Sequence, residues 1–254
     1  MRILLTNDDG IHAPGLEVLE AIAAPFASEL WVVAPAEEQS GAGHSLTLHS
    51  PLRIRKHGER RYAVTGTPTD AVMLALGQLM KEARPDLILS GVNRGANLGE
   101  DVTYSGTVSA AMEGTLAGIP AIALSQCSMA PGTADGVRWE AASHWGPRVL
   151  ARLLDVPPAA GSLINVNFPP LPADEVKGVK VCEQGFRDYS RLSVVERTDP
   201  RGFRYYWFGT GETVETPGHR TDLEVVADGH VAVTPLHLDL THRASLPELR
   251  ALFD

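Results

Sequence analysis

RILLTNDDGIHAPGLEVLEAIAAPFASELWVVA, residues 2–34, decides the fold. RILLT at 2–6 is a short apolar run that stops at turn residues, the pattern of a buried strand. APGLEVLEAIAA follows as a helix, with Pro14 placed for the first turn and Leu16, Leu19, Ile22 and Ala23 recurring at helical spacing. LWVVA at 30–34 is a second buried strand. Strand, helix and strand in this length make a βαβ unit, which requires a parallel pair and a right-handed crossover.

The alternation continues along the chain. TPTDAVMLALGQLM opens with Thr67 as N-cap, Pro68 in the first helical position and Asp70 completing a capping box. DLILS at 86–90 predicts a strand, GTVSAAMEGTLAG a helix of small residues, PAIALS a strand, residues 136–154 an amphipathic helix and SLINVNF at 162–168 the last core strand. The fold class expected is α/β, a Rossmann-like doubly wound sheet, mostly parallel. Residues 1–180 form the core that carries the active site, and 181–254 a C-terminal extension with a β-hairpin and a terminal helix. The hairpin is LSVVERTDPRGFRYYWFG, turning at DPRG. Its second arm puts Phe203, Tyr205 and Trp207 on one face, Tyr206 and Phe208 on the other. A hairpin apolar on both faces needs cover, from its own chain or from another subunit, and the second is the expectation here.

Size and charge bound the function. At 254 residues with 44% hydrophobic residues, the chain can build one large core without staples. A net charge of -9 argues against a groove for a nucleic-acid polymer, though not against a small phosphorylated substrate beside a metal. Cys127 and Cys182 make no disulfide framework and no metal-ligand spacing. The N-terminus has no signal-peptide core and no apolar run could span a bilayer, so a cytoplasmic protein is expected.

In an open parallel sheet, ligands bind beyond the carboxyl ends of the strands. That nominates three loops: NDDGIHAPG, PAEEQSGAGHS and SGVNRGANLGEDVTYSG. Asp8 and Asp9 would diverge in a regular strand, but just past its end, beside Gly10, they can converge on one cation. Two carboxylates with neutral oxygen donors suit a hard divalent ion. The Ser40 hydroxyl lies between Gly41 and Gly43, and Asn93 and Asn97 offer amide oxygens. Ser105, Gly106 and Thr107 open a helix, where free backbone N–H groups and the helix dipole favour an anion; simple N-capping is the plainer reading. A metal beside an anion pocket is what phosphate-ester hydrolysis needs.

LLTNDDGIHAPG, VVAPAEEQSGAGHSLT, GTPTDAV, PDLILSGVNRGANLGEDVTYSGTVSAAMEG and GIPAIALS, in this order, closely resemble the SurE family of stationary-phase survival proteins, metal-dependent 5′/3′-nucleotidases. The resemblance implies that Asp8, Asp9, Ser40 and Asn93 hold one divalent cation, Mg2+ or Mn2+, and that the YSGT helix start helps to hold the phosphate; Asn97 is taken with Ser105, Gly106 and Thr107 as a candidate for binding phosphate or substrate. It implies a nucleoside monophosphate substrate and a dimer or tetramer built by exchange of C-terminal segments. Asp8 and Asp9 are the catalytic candidates, with Asp8 favoured as proton acceptor. Three rivals stand beside this reading. GHSLT at 43–47 approximates a nucleophile elbow around Ser45, but Thr47 replaces its second glycine. An aspartyl nucleophile usually has its two acids at i and i+2, not adjacent. A nucleotide-binding sensor without turnover could share every motif. His12, His44 and Arg94 lie in the same loops and are expected to be solvated.

Overall fold

A computed structural model of the chain describes residues 1–128, 137–156, 158–186, 193–209 and 220–253. Its elements run β1 (Arg2–Thr6), α1 (Pro14–Ala23), β2 (Glu29–Pro35), β3 (Ile54–Gly58), β4 (Arg61–Val64), α2 (Pro68–Leu74), β5 (Leu87–Arg94), α3 (Gly106–Leu116), β6 (Ala121–Gln126), α4 (Glu140–Asp155), β7 (Ser162–Phe168), β8 (Val179–Val181), β9 (Ser193–Thr198), β10 (Arg204–Gly209), α5 (Asp222–Ala227), β11 (Val231–His237) and α6 (Leu246–Phe253). Residue 136, the expected first residue of the fourth helix, lies outside the described residues.

Nine strands form one sheet in the order β3-β4-β2-β1-β5-β6-β7-β11-β8. The pairs β1–β2, β1–β5, β2–β4, β5–β6 and β6–β7 are parallel. The chain builds outward from β1 to β2 and β4 on one side, then returns to add β5, β6 and β7 on the other. The reversal falls between β1 and β5, the switch point where a doubly wound sheet opens its crevice. Both faces are covered. Ile3, Leu5, Leu87 and Leu89 pack with Leu16, Leu19 and Ile22 of α1 and Val149 and Leu150 of α4. Leu4 and Ile88 pack with Ala71 and Val72 of α2 and Val108 and Ala111 of α3. Strands buried on both faces explain the continuous apolar runs that marked them in the sequence.

Two expectations need correction. The sheet does not end at residue 168: β11 pairs antiparallel with β7, Val233 opposite Val166, and β8 closes that edge. An alternating strand late in the chain was masked by the change of pattern around it. The strand expected at 86–90 runs on to Arg94, with an irregular register between Ser90 and Asn93. Gly91 makes this possible. Its φ is +133° and a Cβ there would lie 2.2 Å from the Leu124 carbonyl oxygen, so no side chain fits where β5 presses on β6. Asn93 thus stands on a strand end, not in a loose loop.

The hairpin exists as read, β9 against β10, turning through a backbone bond from Gly202 N to Asp199 O. It forms a sheet of its own. Trp207 and Phe208 are 64% and 82% exposed within the single chain, so its own subunit does not cover it.

Candidate active site

Asn7 shapes the end of β1. Its side chain accepts from Gly10 N (3.2 Å) and donates to Gly10 O (2.9 Å), closing a tight turn around Asp8 and Asp9. The two carboxylates therefore leave the strand geometry that would have set them on opposite faces. Loop 2 is tied to this turn through Gln39 N, which donates to Asp8 O at 2.8 Å. The end of β5 is tied to it through Arg94 N, which donates to Asp9 Oδ2 at 2.9 Å. The start of α3 lies directly on Asp8: a Cβ on Gly106 would sit 2.8 Å from Asp8 Cβ and 3.0 Å from its Oδ2. Thr107 donates its hydroxyl to Asp8 Oδ1 and turns its backbone N–H to the same carboxylate.

The electrostatics follow from this enclosure. Asp8 is 4% exposed. Burial pushes its carboxyl up to about 7; the Thr107 hydroxyl opposes the rise and the Asp9 charge adds to it. Asp9 is raised too, first by burial, against the Arg94 N–H and guanidinium, with Glu38 adding to the rise. Asn93 donates its amide nitrogen to Gly95 O at 3.0 Å, which leaves its Oδ1 as a donor atom for a cation. Ser40 Oγ donates to Glu38 Oε1 at 2.9 Å. Two buried carboxylates that repel each other, an amide oxygen and a hydroxyl oxygen are an all-oxygen set that fits a hard divalent ion. Among the described residues no group of three or more His, Cys, Asp or Glu could hold a metal, so such an ion depends on the neutral donors.

The phosphate candidates divide. Ser105 caps α3, accepting from Val108 N at 3.0 Å, and Gly106 and Thr107 form the first turn beside Asp8. Asn97 stands in a buried amide network: its Nδ2 donates to Ser125 Oγ (2.8 Å), its N to Asn167 Oδ1 (2.9 Å), and its carbonyl accepts from Asn165 (2.8 Å) and Asn167 (3.1 Å). Asn165 and Asn167 escaped the sequence reading, although the alternation I-N-V-N in β7 puts both on one face of the sheet. Glu38 escaped as well.

Arg94, His44 and His12 are exposed, as expected, but each also has a partner. Arg94 Nη2 donates to Glu38 Oε1 at 3.2 Å, and its Nε is 4.0 Å from Asp9 Oδ1. His44 Nε2 lies 3.1 Å from Glu113 Oε2, pinning loop 2 to α3. His12 and His57 meet edge to face, their centroids 5.2 Å apart. Asp70 anchors the far end of loop 2: burial raises its carboxyl, but bonds from Thr47 and Thr67 outweigh this and hold it below the ordinary value. Ser45 is exposed in a stretch with no strand before it and no helix after it. The strand–serine–helix elbow is absent, and with it the serine-hydrolase reading.

The sequence profile described as "Survival protein SurE" matches residues 3–191. This chain belongs to the SurE family. Two curated relatives, each named 5′-nucleotidase SurE, match it end to end. One from Erythrobacter litoralis is 60% identical over 254 residues, covering all of both chains. One from Rhizorhabdus wittichii is 60% identical over 253 residues, again covering all of both. The crystal structure of the SurE protein from Aquifex aeolicus superposes with a TM-score of 0.86 at 40% identity, covering all of both chains. The likeness runs through the C-terminal third, where the sequence carried no motif of comparable strength. Among the described residues no helix is long and apolar enough to cross a membrane.

Proposed function

We propose that this SurE-family chain is a metal-dependent 5′/3′-nucleotidase, which hydrolyses nucleoside 5′- or 3′-monophosphates to nucleoside and phosphate. The observation that carries the reading is the meeting of Asp8, Asp9 and the α3 N-terminus at the switch point of the sheet, in a chain 60% identical throughout to proteins named 5′-nucleotidase. Asp8, Asp9, Ser40 and Asn93 would hold one Mg2+ or Mn2+ per subunit. When bound, the cation supplies Lewis-acid polarisation of a phosphoryl oxygen and lowers the pKa of water.

The chain's own residues supply the rest. Backbone N–H groups at Ser105 and Gly106, at the start of α3, would favour the phosphate charge, while the Thr107 N–H and hydroxyl go to Asp8. Asn97, fixed by its amide network, holds the loop that borders them. Thr107 keeps the Asp8 carboxylate oriented through Oδ1, leaving Oδ2 to take the proton of the attacking water; Asp8 is the proton acceptor in this reading, and Asp9 completes the cage. The hairpin's uncovered aromatic faces serve a homo-oligomer, a dimer or tetramer, with 1–180 as the catalytic core and 181–254 as an extension that also returns β11 to the core sheet. The protein is cytoplasmic in this reading. Phosphate release from matched 5′- and 3′-nucleoside monophosphates in Mn2+ and in Mg2+ tests it. Release from both series supports the reading; binding without release would leave a nucleotide sensor.

A further inference from the structure

Glu38 stands outside the four assigned ligands, yet three contacts converge on it and its neighbours. Its Oε1 accepts the Ser40 hydroxyl at 2.9 Å and the Arg94 Nη2 at 3.2 Å. Arg94 in turn gives its backbone N–H to Asp9 Oδ2 at 2.9 Å. A chain of bonds therefore runs from Ser40 in loop 2 through Glu38 and Arg94 to Asp9 in loop 1.

A serine hydroxyl carries one hydrogen and two lone pairs, and it can serve a cation only when the hydrogen points away. Ser40 is exposed and followed by Gly41, and among the described residues its hydrogen goes to Glu38. We propose that Glu38 is a positioning residue of the metal cage, which takes the Ser40 hydrogen so that the lone pairs of Ser40 Oγ face the cation, with Arg94 holding Glu38 in place. The inference rests on Ser40 being a ligand. Outer partners of this kind orient the ligand and raise its basicity, and their loss typically weakens metal binding ~10- to 100-fold. The Glu38 side chain is 52% exposed, so its truncation opens no cavity.

The test is a double-mutant cycle on the full chain, with Mn2+ affinity read by titration calorimetry without substrate. Ser40→Ala and Glu38→Ala should each weaken Mn2+ binding, Glu38→Ala by about 10-fold or more. The double variant should be no weaker than Ser40→Ala within about 2-fold, because Glu38 has no hydroxyl left to orient. Glu38→Gln, which can still accept through Oε1, should recover most of the loss. A normal Glu38→Ala affinity would overturn the proposal, as would losses that multiply in the double variant or a Gln variant as weak as Ala; each of the three would mark Glu38 as a bystander or a plain charge. Normal affinity in Ser40→Ala would remove Ser40 from the cage and the proposal with it.

Discussion

Asp8→Asn replaces a buried carboxylate with a neutral group of the same shape, and its effect on the metal-free fold can be worked out in sign and size. Burial is the main reason that the Asp8 carboxyl rises from 3.8 to about 7. The folded chain therefore keeps a proton there that the unfolded chain releases, and stability falls as pH rises from about 4 to about 7. At about 1.36 kcal/mol per pH unit, that interval corresponds to about 4 kcal/mol. An Asn side chain has no such dependence and can still accept from Thr107. In EDTA, urea unfolding should show the variant gaining on the wild type by up to about 4 kcal/mol between pH 4 and pH 8. Mn2+ should close the gap, and close it fully only near a thousand times Kd, where binding adds about 4.1 kcal/mol. Binding to the native state alone adds about 2.7 kcal/mol at a hundred times Kd, and only the wild type keeps the charge that earns it. A variant whose difference from wild type is flat with pH in EDTA would refute the account of Asp8 as a carboxyl whose charge is disfavoured by burial more than Thr107 relieves it.

Two further outcomes follow from geometry. Gly106→Ala should reduce turnover at least ~10-fold and destabilise the fold by about 1–3 kcal/mol; its Cβ would lie 2.8 Å from Asp8 Cβ, and full activity in the Ala variant would show that α3 does not press on the carboxylate. Deleting residues 193–209 should lower the particle mass in light scattering while leaving the subunit's melting little changed, since among the described residues β9 and β10 pair only with each other; a wild-type chain that is already monomeric at micromolar concentration would contradict the assigned role of the hairpin.

What was legible in the sequence was local or periodic. The βαβ alternation, the Thr67–Asp70 capping box and the turn after β1 all depend on neighbours within a few residues, and each is present. The cage candidates were legible because loops after parallel strands share one edge of the sheet. The long-range partners were not. Thr107 looked like a helix-start residue aimed at an anion, but its hydroxyl goes to Asp8, 99 positions away. Arg94 is exposed, as it looked, but its bond to Glu38, 56 positions away, could not be read from spacing. β11 was invisible because its antiparallel partner β7 lies far back in the chain, with β8, β9, β10 and α5 between them. Such pairings are set by how strand ends meet across the sheet, which spacing along the chain does not encode.

The central claim is that the two carboxylates after β1 work through a divalent cation to release phosphate. The most direct measurement is phosphate release from a panel of nucleoside monophosphates by one preparation, first stripped with EDTA and then resupplied with Mn2+ or Mg2+. The account predicts release that vanishes on stripping, returns with either ion and stays absent in Asp8→Asn. Release that survives EDTA, or no release at saturating Mn2+, would contradict it.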